Sequence, residues 1–102
     1  MMRRTYEKEA HVKQDVIEIL KELGILYHMP SASGFGRVGV SDFVCCAYGR
    51  YLEIETKFGR NKQTEMQLAW MAKVQKHKGT YMVVDEHSIQ YLKAALESYA
   101  ST

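Results

Sequence analysis

Apolar residues recur at Val12, Val16, Ile19, Leu20 and Leu23. That is the three-and-four spacing of one helix face, and Gly24 follows as a C-terminal cap would. The spacing predicts a first helix over residues 5–23. The apolar run at 25–29 (ILYHM) predicts a short strand. Residues 30–39 (PSASGFGRVG) are rich in Ser and Gly and predict no regular structure. Residues 42–48 (DFVCCAY) and 51–57 (YLEIETK) predict two strands joined by a turn near Gly49 and Arg50, a β-hairpin. After the polar, basic loop FGRNKQ, Thr64 stands where it would cap a second helix running through about His77, with Gly79 ending it. Residues 80–84 (TYMVV) predict a further strand, and Ile89, Leu92, Leu96 and Tyr99 form the stripe of a last helix. The order α-β-β-β-α-β-α predicts an α/β or α+β domain with helices packed on a central, mixed sheet. There is no repeat, low-complexity tract or linker, and 102 residues make one domain with one core.

Composition narrows the class. Hydrophobic residues at 46% and charged residues at 25% describe a globular chain, not a disordered one. A net charge of +2 neither demands nor excludes a nucleic-acid partner, because one basic face can coexist with an acidic remainder. Cys45 and Cys46 are neighbours in a strand and point to opposite faces, so no disulfide framework exists, which fits a reducing compartment. No apolar run approaches the roughly 18 residues of a membrane span, and no apolar signal core follows the basic N-terminus. The expectation is a soluble cytoplasmic domain. His11, His28, His77 and His87 are scattered, without zinc-like spacing to either cysteine. Thr5, Ser31 and Ser33 have no marked base partner, and no nucleotide phosphate-loop motif is present.

Several polar residues break the apolar pattern. Glu9 falls on the same side of the first helix as Val12, Val16, Leu20 and Leu23, where a carboxylate is costly unless paired. It is either a first-turn glutamate favoured by the helix dipole or part of a site. Alternation puts Tyr51, Glu53, Glu55 and Lys57 on one strand face, opposite Leu52, Ile54 and Thr56. The hairpin sets Asp42 near the end of the strand that carries Lys57. Two carboxylates, Asp42 and Glu55, with the Thr56 carbonyl make an oxygen-rich site for Mg²⁺ or Mn²⁺. Lys57 beside it can hold a water or a phosphate oxygen and stabilise developing negative charge. The alternative is an exposed edge strand protected by its charges. Gln67 sits between Trp70, Met71 and Val74 in the apolar face of the second helix. A buried amide needs partners, found either in the backbone or at the site. The expectation is that Glu9, Asp42, Glu55, Lys57 and Gln67 all aim at or along one sheet face.

The ordered set Glu9-x-x-Val12-Lys13-x-x-Val16-Ile17-x-x-Leu20-x-x-x-Gly24, Gly39-Val40-Ser41-Asp42, Ile54-Glu55-Thr56-Lys57 and Thr64-x-x-Gln67 resembles the VRR-NUC domain. That family belongs to the PD-(D/E)XK nuclease superfamily, with its restriction-endonuclease-like fold. The resemblance covers about residues 7–97. It implies a metal-dependent endonuclease in which Asp42, Glu55 and the Thr56 carbonyl bind the metal and Lys57 orients or activates the attacking water. Glu9 would assist metal or water binding, and Gln67 would position the lysine or a ligand. It further implies 5′-phosphate and 3′-hydroxyl products, a homodimer, and branched DNA such as four-way (Holliday) junctions as substrate. The compact size suits a phage or mobile element. One departure is Ser41, where the superfamily often has proline.

Lys13, Arg37, Arg60 and Lys62 flank the expected site and are candidates for phosphate contacts, which position a backbone without reading bases. The loop over 31–36 is composed to move on binding. No helix resembles a major-groove reader and no basic, aromatic-rich strand resembles a stacking platform, so recognition of shape is expected. Two rival readings are a non-catalytic nucleic-acid-binding module that keeps the fold and an accessory dimerisation protein of a replication complex.

Overall fold

A computed structural model describes residues 5–30 and 39–101. Helix α1 spans Glu9–Glu22 and is followed by β1 (Leu26–His28), β2 (Phe43–Ala47) and β3 (Arg50–Thr56). Helix α2 (Glu65–Lys76), β4 (Thr80–Val84) and α3 (Ile89–Ser98) complete the order, with a short 3₁₀ turn at Tyr99–Ser101. Helix α1 starts four residues later than its expected boundary. Its apolar stripe begins only at Val12, and Lys8, at the N-cap, gives no side-chain hydrogen bond to the first turn.

The hairpin turn falls at Tyr48 and Gly49, one residue before the expected Gly49 and Arg50. Arg50 already pairs with Ala47. Tyr48 and Gly49 take φ of 55° and 80°, the left-handed pair that matches the twist of two antiparallel strands across a two-residue loop. Glycine adopts this without strain; Tyr48 does so at a cost of roughly 1–2 kcal/mol, which the strand pairing offsets.

The sheet runs β1-β2-β3-β4. The first three strands are antiparallel, and β4 lies parallel to β3 after the α2 crossover. The fold is therefore α/β with a four-stranded mixed sheet flanked by helices. Strand β3 is interior, and Leu52 through Thr56 are all buried, which excludes the exposed-edge reading of its charges.

The two sides of β3 differ in chemistry. Leu52 and Ile54 join Phe43, Val12, Val16, Ile19 and Leu20 of α1 and Ile89, Leu92 and Leu96 of α3 in one core. Full burial of each such side chain contributes about 1.5–3 kcal/mol. On the other side lies α2, whose only buried residue is Val74. The space between β3 and α2 therefore has little apolar filling, and Glu53 and Glu55 point into it. Cys45 is buried and Cys46 exposed, both as free thiols. Among the described residues no helix is long and apolar enough to cross a membrane.

Candidate active site

The hairpin register places Phe43 opposite Ile54, which brings Asp42 beside Glu55 at the end of β3. The ladder stops at Phe43, and the alternation of side chains stops with it. Ser41 Oγ lies 2.8 Å from Glu53 Oε1, on the α2 side. Asp42 turns its carboxylate to Thr56 instead: Oδ2 accepts from the Thr56 amide at 3.0 Å and from the Thr56 hydroxyl. The Asp42 amide donates to Glu55 Oε1 at 3.1 Å. Carboxylates thus close the end of the strand pair where ladder bonds leave off.

Glu55 Oε2 accepts from Gln67 Nε2 at 2.9 Å and lies 3.1 Å from Lys57 Nζ. Lys57 Nζ also donates to Gln67 Oε1 at 2.9 Å. Glu55, Lys57 and Gln67 therefore form a closed ring of contacts, with side chains only 3% exposed for Glu55 and 13% for Lys57. Burial raises the pKa of Glu55, the nearby Asp42 charge raises it further, and the Lys57 ammonium pulls it back.

Gln67 resolves the choice left open by its position, because it serves both roles. Thr64 Oγ1 accepts from the Gln67 amide at 3.1 Å, and the Gln67 side-chain oxygen accepts from the Thr64 amide at 3.0 Å. This reciprocal capping box opens α2. It also directs the amide of the same residue at Glu55 and Lys57. The positive end of the α2 dipole consequently faces the site, where it favours anions.

The five expected residues do not share one sheet face. Glu55, Lys57 and Gln67 meet on the α2 side. Glu9 belongs to α1, whose core face packs on the opposite side, and among the described residues it joins the group through Lys13. Lys13 Nζ is 3.8 Å from Glu9 and 3.5 Å from Asp42 Oδ1. Asp42 bridges the two sides because the chain bends just before β2. Lys13, expected as a phosphate contact, is thus engaged with a carboxylate of the site. Arg60 and Lys62 are exposed in the loop after Lys57. Arg37 and the 31–36 loop lie outside the described residues.

Among the described residues no cluster of three or more His, Cys, Asp or Glu side chains gathers. The available oxygen set is the carboxylates of Asp42 and Glu55 with the backbone of Thr56. Two observations make it fit a small hard cation. The two carboxylate residues are neighbours at the end of the strand pair, where the Asp42 amide donates to Glu55 Oε1 at 3.1 Å. Asp42 Oδ1 meets Lys13 at 3.5 Å, longer than a good charge-assisted hydrogen bond. Mg²⁺ typically needs only one or two carboxylates and keeps several waters.

Sequence reasoning missed the layer beneath these residues. Glu53 is completely buried. Its Oε1 accepts from Trp70 Nε1 at 2.8 Å, and its Oε2 accepts from the Tyr51 hydroxyl. Ser41 also donates to it, so Ser41 anchors the loop leading to Asp42. The available signal was a second glutamate two residues from Glu55 on the same face. Gly39, part of the ordered motif set, has a structural reason to be glycine. Its φ is 90°, and a Cβ there would lie 2.6 Å from the Met66 carbonyl oxygen. The chain before Asp42 is thereby pressed against the first turn of α2, one residue from Gln67. No protein-family model matches the chain, and no curated protein matches it at a significant level.

Proposed function

We propose that this chain is a metal-dependent nuclease that hydrolyses phosphodiester bonds in DNA, with the restriction-endonuclease-like core of the VRR-NUC resemblance. The observation that carries the reading is the part-buried ring of Glu55, Lys57 and Gln67 beside Asp42. A lysine held between a carboxylate and an amide oxygen beside a second carboxylate is expensive to bury for structure alone. Such a set of groups can hold a metal ion and orient a water for attack on a phosphodiester.

Asp42 and Glu55, with the Thr56 carbonyl, would hold Mg²⁺ or Mn²⁺. Such an ion, when bound, neutralises phosphate charge and lowers the pKa of a coordinated water. Lys57 orients the attacking water and offsets negative charge developing on the phosphate. Gln67 fixes the Lys57 ammonium and one Glu55 oxygen, so neither must reorganise during the reaction. Glu9 acts at a distance, by holding Lys13 against Asp42. Arg60 and Lys62 contact backbone phosphates. One chain carries one such centre, so paired cutting of two strands takes two copies, which suits a homodimer on a branched junction.

The test is cleavage of an end-labelled four-way junction and of a linear duplex of the same sequence. Each is incubated with Mg²⁺, Mn²⁺ or EDTA, using wild type, Asp42→Ala and Lys57→Ala. Metal-dependent cutting that both substitutions abolish is the expected result, with the junction preferred. Equal cutting of the duplex removes the junction preference and leaves the chemistry. Binding without cutting in either metal overturns the enzyme and favours a non-catalytic DNA-binding module.

A further inference from the structure

A second feature lies toward the other end of β3, on the same α2 side as the proposed centre. Between Tyr51 of β3 and the C-terminal half of α2 is a cavity of about 460 Å³. That is within the range of roughly 300–1,000 Å³ usual for small-ligand sites. Trp70 and Tyr51 line it together with Lys73, Lys78 and His77. Both rings are anchored on one group, the fully buried Glu53 carboxylate, which accepts from the Trp70 indole and the Tyr51 hydroxyl on its two oxygens. Gly79 leaves room for this arrangement, since a Cβ there would lie 3.0 Å from the Tyr51 ring and 2.8 Å from Val74.

The cavity therefore has two aromatic walls held in place before any ligand arrives. Lysines near the end of a helix are ordinary partners of its dipole. Lys73 and Lys78 differ in that they line a cavity with these rings, and among the described residues neither is in an ion pair. Aromatic surface beside unneutralised cations is complementary to a nucleotide, whose base has a π face and whose phosphate is an anion.

We propose that this cavity binds an unpaired nucleotide of a DNA strand, its base against Trp70 and Tyr51 and its phosphate held by Lys73 and Lys78. The inference rests on the nuclease reading for its choice of polymer, and it adds a substrate feature. Tyr51, which lines the cavity, and Glu55 are four residues apart on β3, roughly 13 Å. A strand seated in the cavity thus continues toward Glu55 and Lys57. The site selects DNA with an unstacked nucleotide near the bond to be cut, as at a junction, flap or loop.

Trp70 is the sole tryptophan of the chain, so its fluorescence reports this cavity directly. The experiment titrates hexathymidylate, and separately a blunt duplex, into the full chain in EDTA. The same is done for the double variant Lys73→Gln, Lys78→Asn, whose exposed positions and left-handed Lys78 conformation tolerate these residues. Expected is saturable quenching by the single strand, weaker quenching by the duplex, and affinity about tenfold lower in the variant at low salt. The variant's circular dichroism should match wild type. Junction cleavage in Mg²⁺ is run alongside. If the junction is cut and hexathymidylate never perturbs Trp70, the cavity proposal fails while the nuclease reading stands. If quenching occurs without any cutting, the cavity stands and the nuclease reading fails. Equal quenching by duplex, or no loss in the variant, overturns the cavity proposal. So does occupancy by an apolar dye with no response to the oligonucleotide, which would mark a protein-docking site.

Discussion

Gln67 Nε2 donates to Glu55 Oε2 at 2.9 Å, joining the first turn of α2 to the end of β3. The other half of the same amide accepts from Lys57 and from the Thr64 backbone. One side chain therefore caps the start of a helix and positions a lysine. The two duties separate by mutation. Thr64→Ala removes the hydroxyl from the cap and should cost about 1 kcal/mol of stability, with cleavage nearly intact at temperatures where the protein is folded. Gln67→Ala loses the cap contact too, and cleavage should fall roughly 10–100-fold. Thermal unfolding and single-turnover cleavage of both variants check this; equal loss of cleavage in the two would make Gln67 a structural residue only.

Gly39→Ala should disturb the site from outside it. The added methyl meets the Met66 carbonyl at a distance no Cβ tolerates, at a backbone angle that L-residues rarely adopt. The loop must retreat from α2 and take Asp42 with it. Expected are a clear drop in melting temperature and weaker Mn²⁺ binding by calorimetry. Gly59→Ala is the control: φ there is 65° but nothing lies within 4 Å of the new methyl, so its effect should be smaller.

Metal should stabilise the fold. A cation that binds only the native state at 100 times its Kd adds about 2.7 kcal/mol. Wild type should melt higher in Mn²⁺ than in EDTA, and Asp42→Ala should show no such shift. Lys57→Met should keep the shift while losing cleavage, because it removes a positive charge and no oxygen ligand. Loss of the shift in Lys57→Met would contradict the separate roles assigned to these residues.

The pH dependence follows from Glu55. Its carboxyl titrates above the ordinary 4.5 because of burial and then Asp42. The folded chain therefore holds this proton to higher pH than the unfolded chain does. Glu55 contributes a stability loss as pH rises through that window, and ionised Glu55 remains a cost at neutral pH that a bound cation offsets. Carbon-detected NMR titration of the Glu55 carboxyl should show a raised midpoint. Asp42→Asn should lower it, and Lys57→Met should raise it. Mn²⁺ affinity should decline on acidification before ordinary carboxylates titrate.

At alkaline pH the sign is the same for different groups. Burial, with the Glu53 charge, pushes the Cys45 thiol from 9.0 up to about 12. The unfolded chain loses that proton first, so stability should fall between pH 9 and about 12. Urea unfolding of Cys45→Ala should show a shallower decline across this interval. A thiol reagent should titrate Cys46 at once and Cys45 only after unfolding.

The strands, the helices and the pairing of Asp42 with Glu55 were readable because each depends on short-range pattern. Val12, Val16, Ile19 and Leu20 mark a helix face by spacing alone, and Thr64 announces α2. What escaped was tertiary. That β3 is interior depends on β4 pairing parallel to it through α2, which no local pattern in residues 50–56 encodes. Glu53 resembled one more exposed charge until Ser41, Tyr51 and Trp70, from three separate segments, closed around it. The division of Glu9 from Glu55 was equally hidden, because helical periodicity reports a direction within one helix and not which side of a sheet that helix covers.

The Tyr48–Gly49 turn has a consequence for how this chain tolerates change. It is an exposed tip, the kind of place where insertions and fused tags are usually harmless. Here the two arms it joins carry the two carboxylates at their far ends, a strand length of roughly 17 Å away. A residue added at the tip that is not taken up by a longer loop slides one arm against the other and exchanges the faces of its side chains. This exposed turn is thus the alignment gauge of the proposed chemistry, and an insertion there that shifts the register should silence the centre without touching any of its residues.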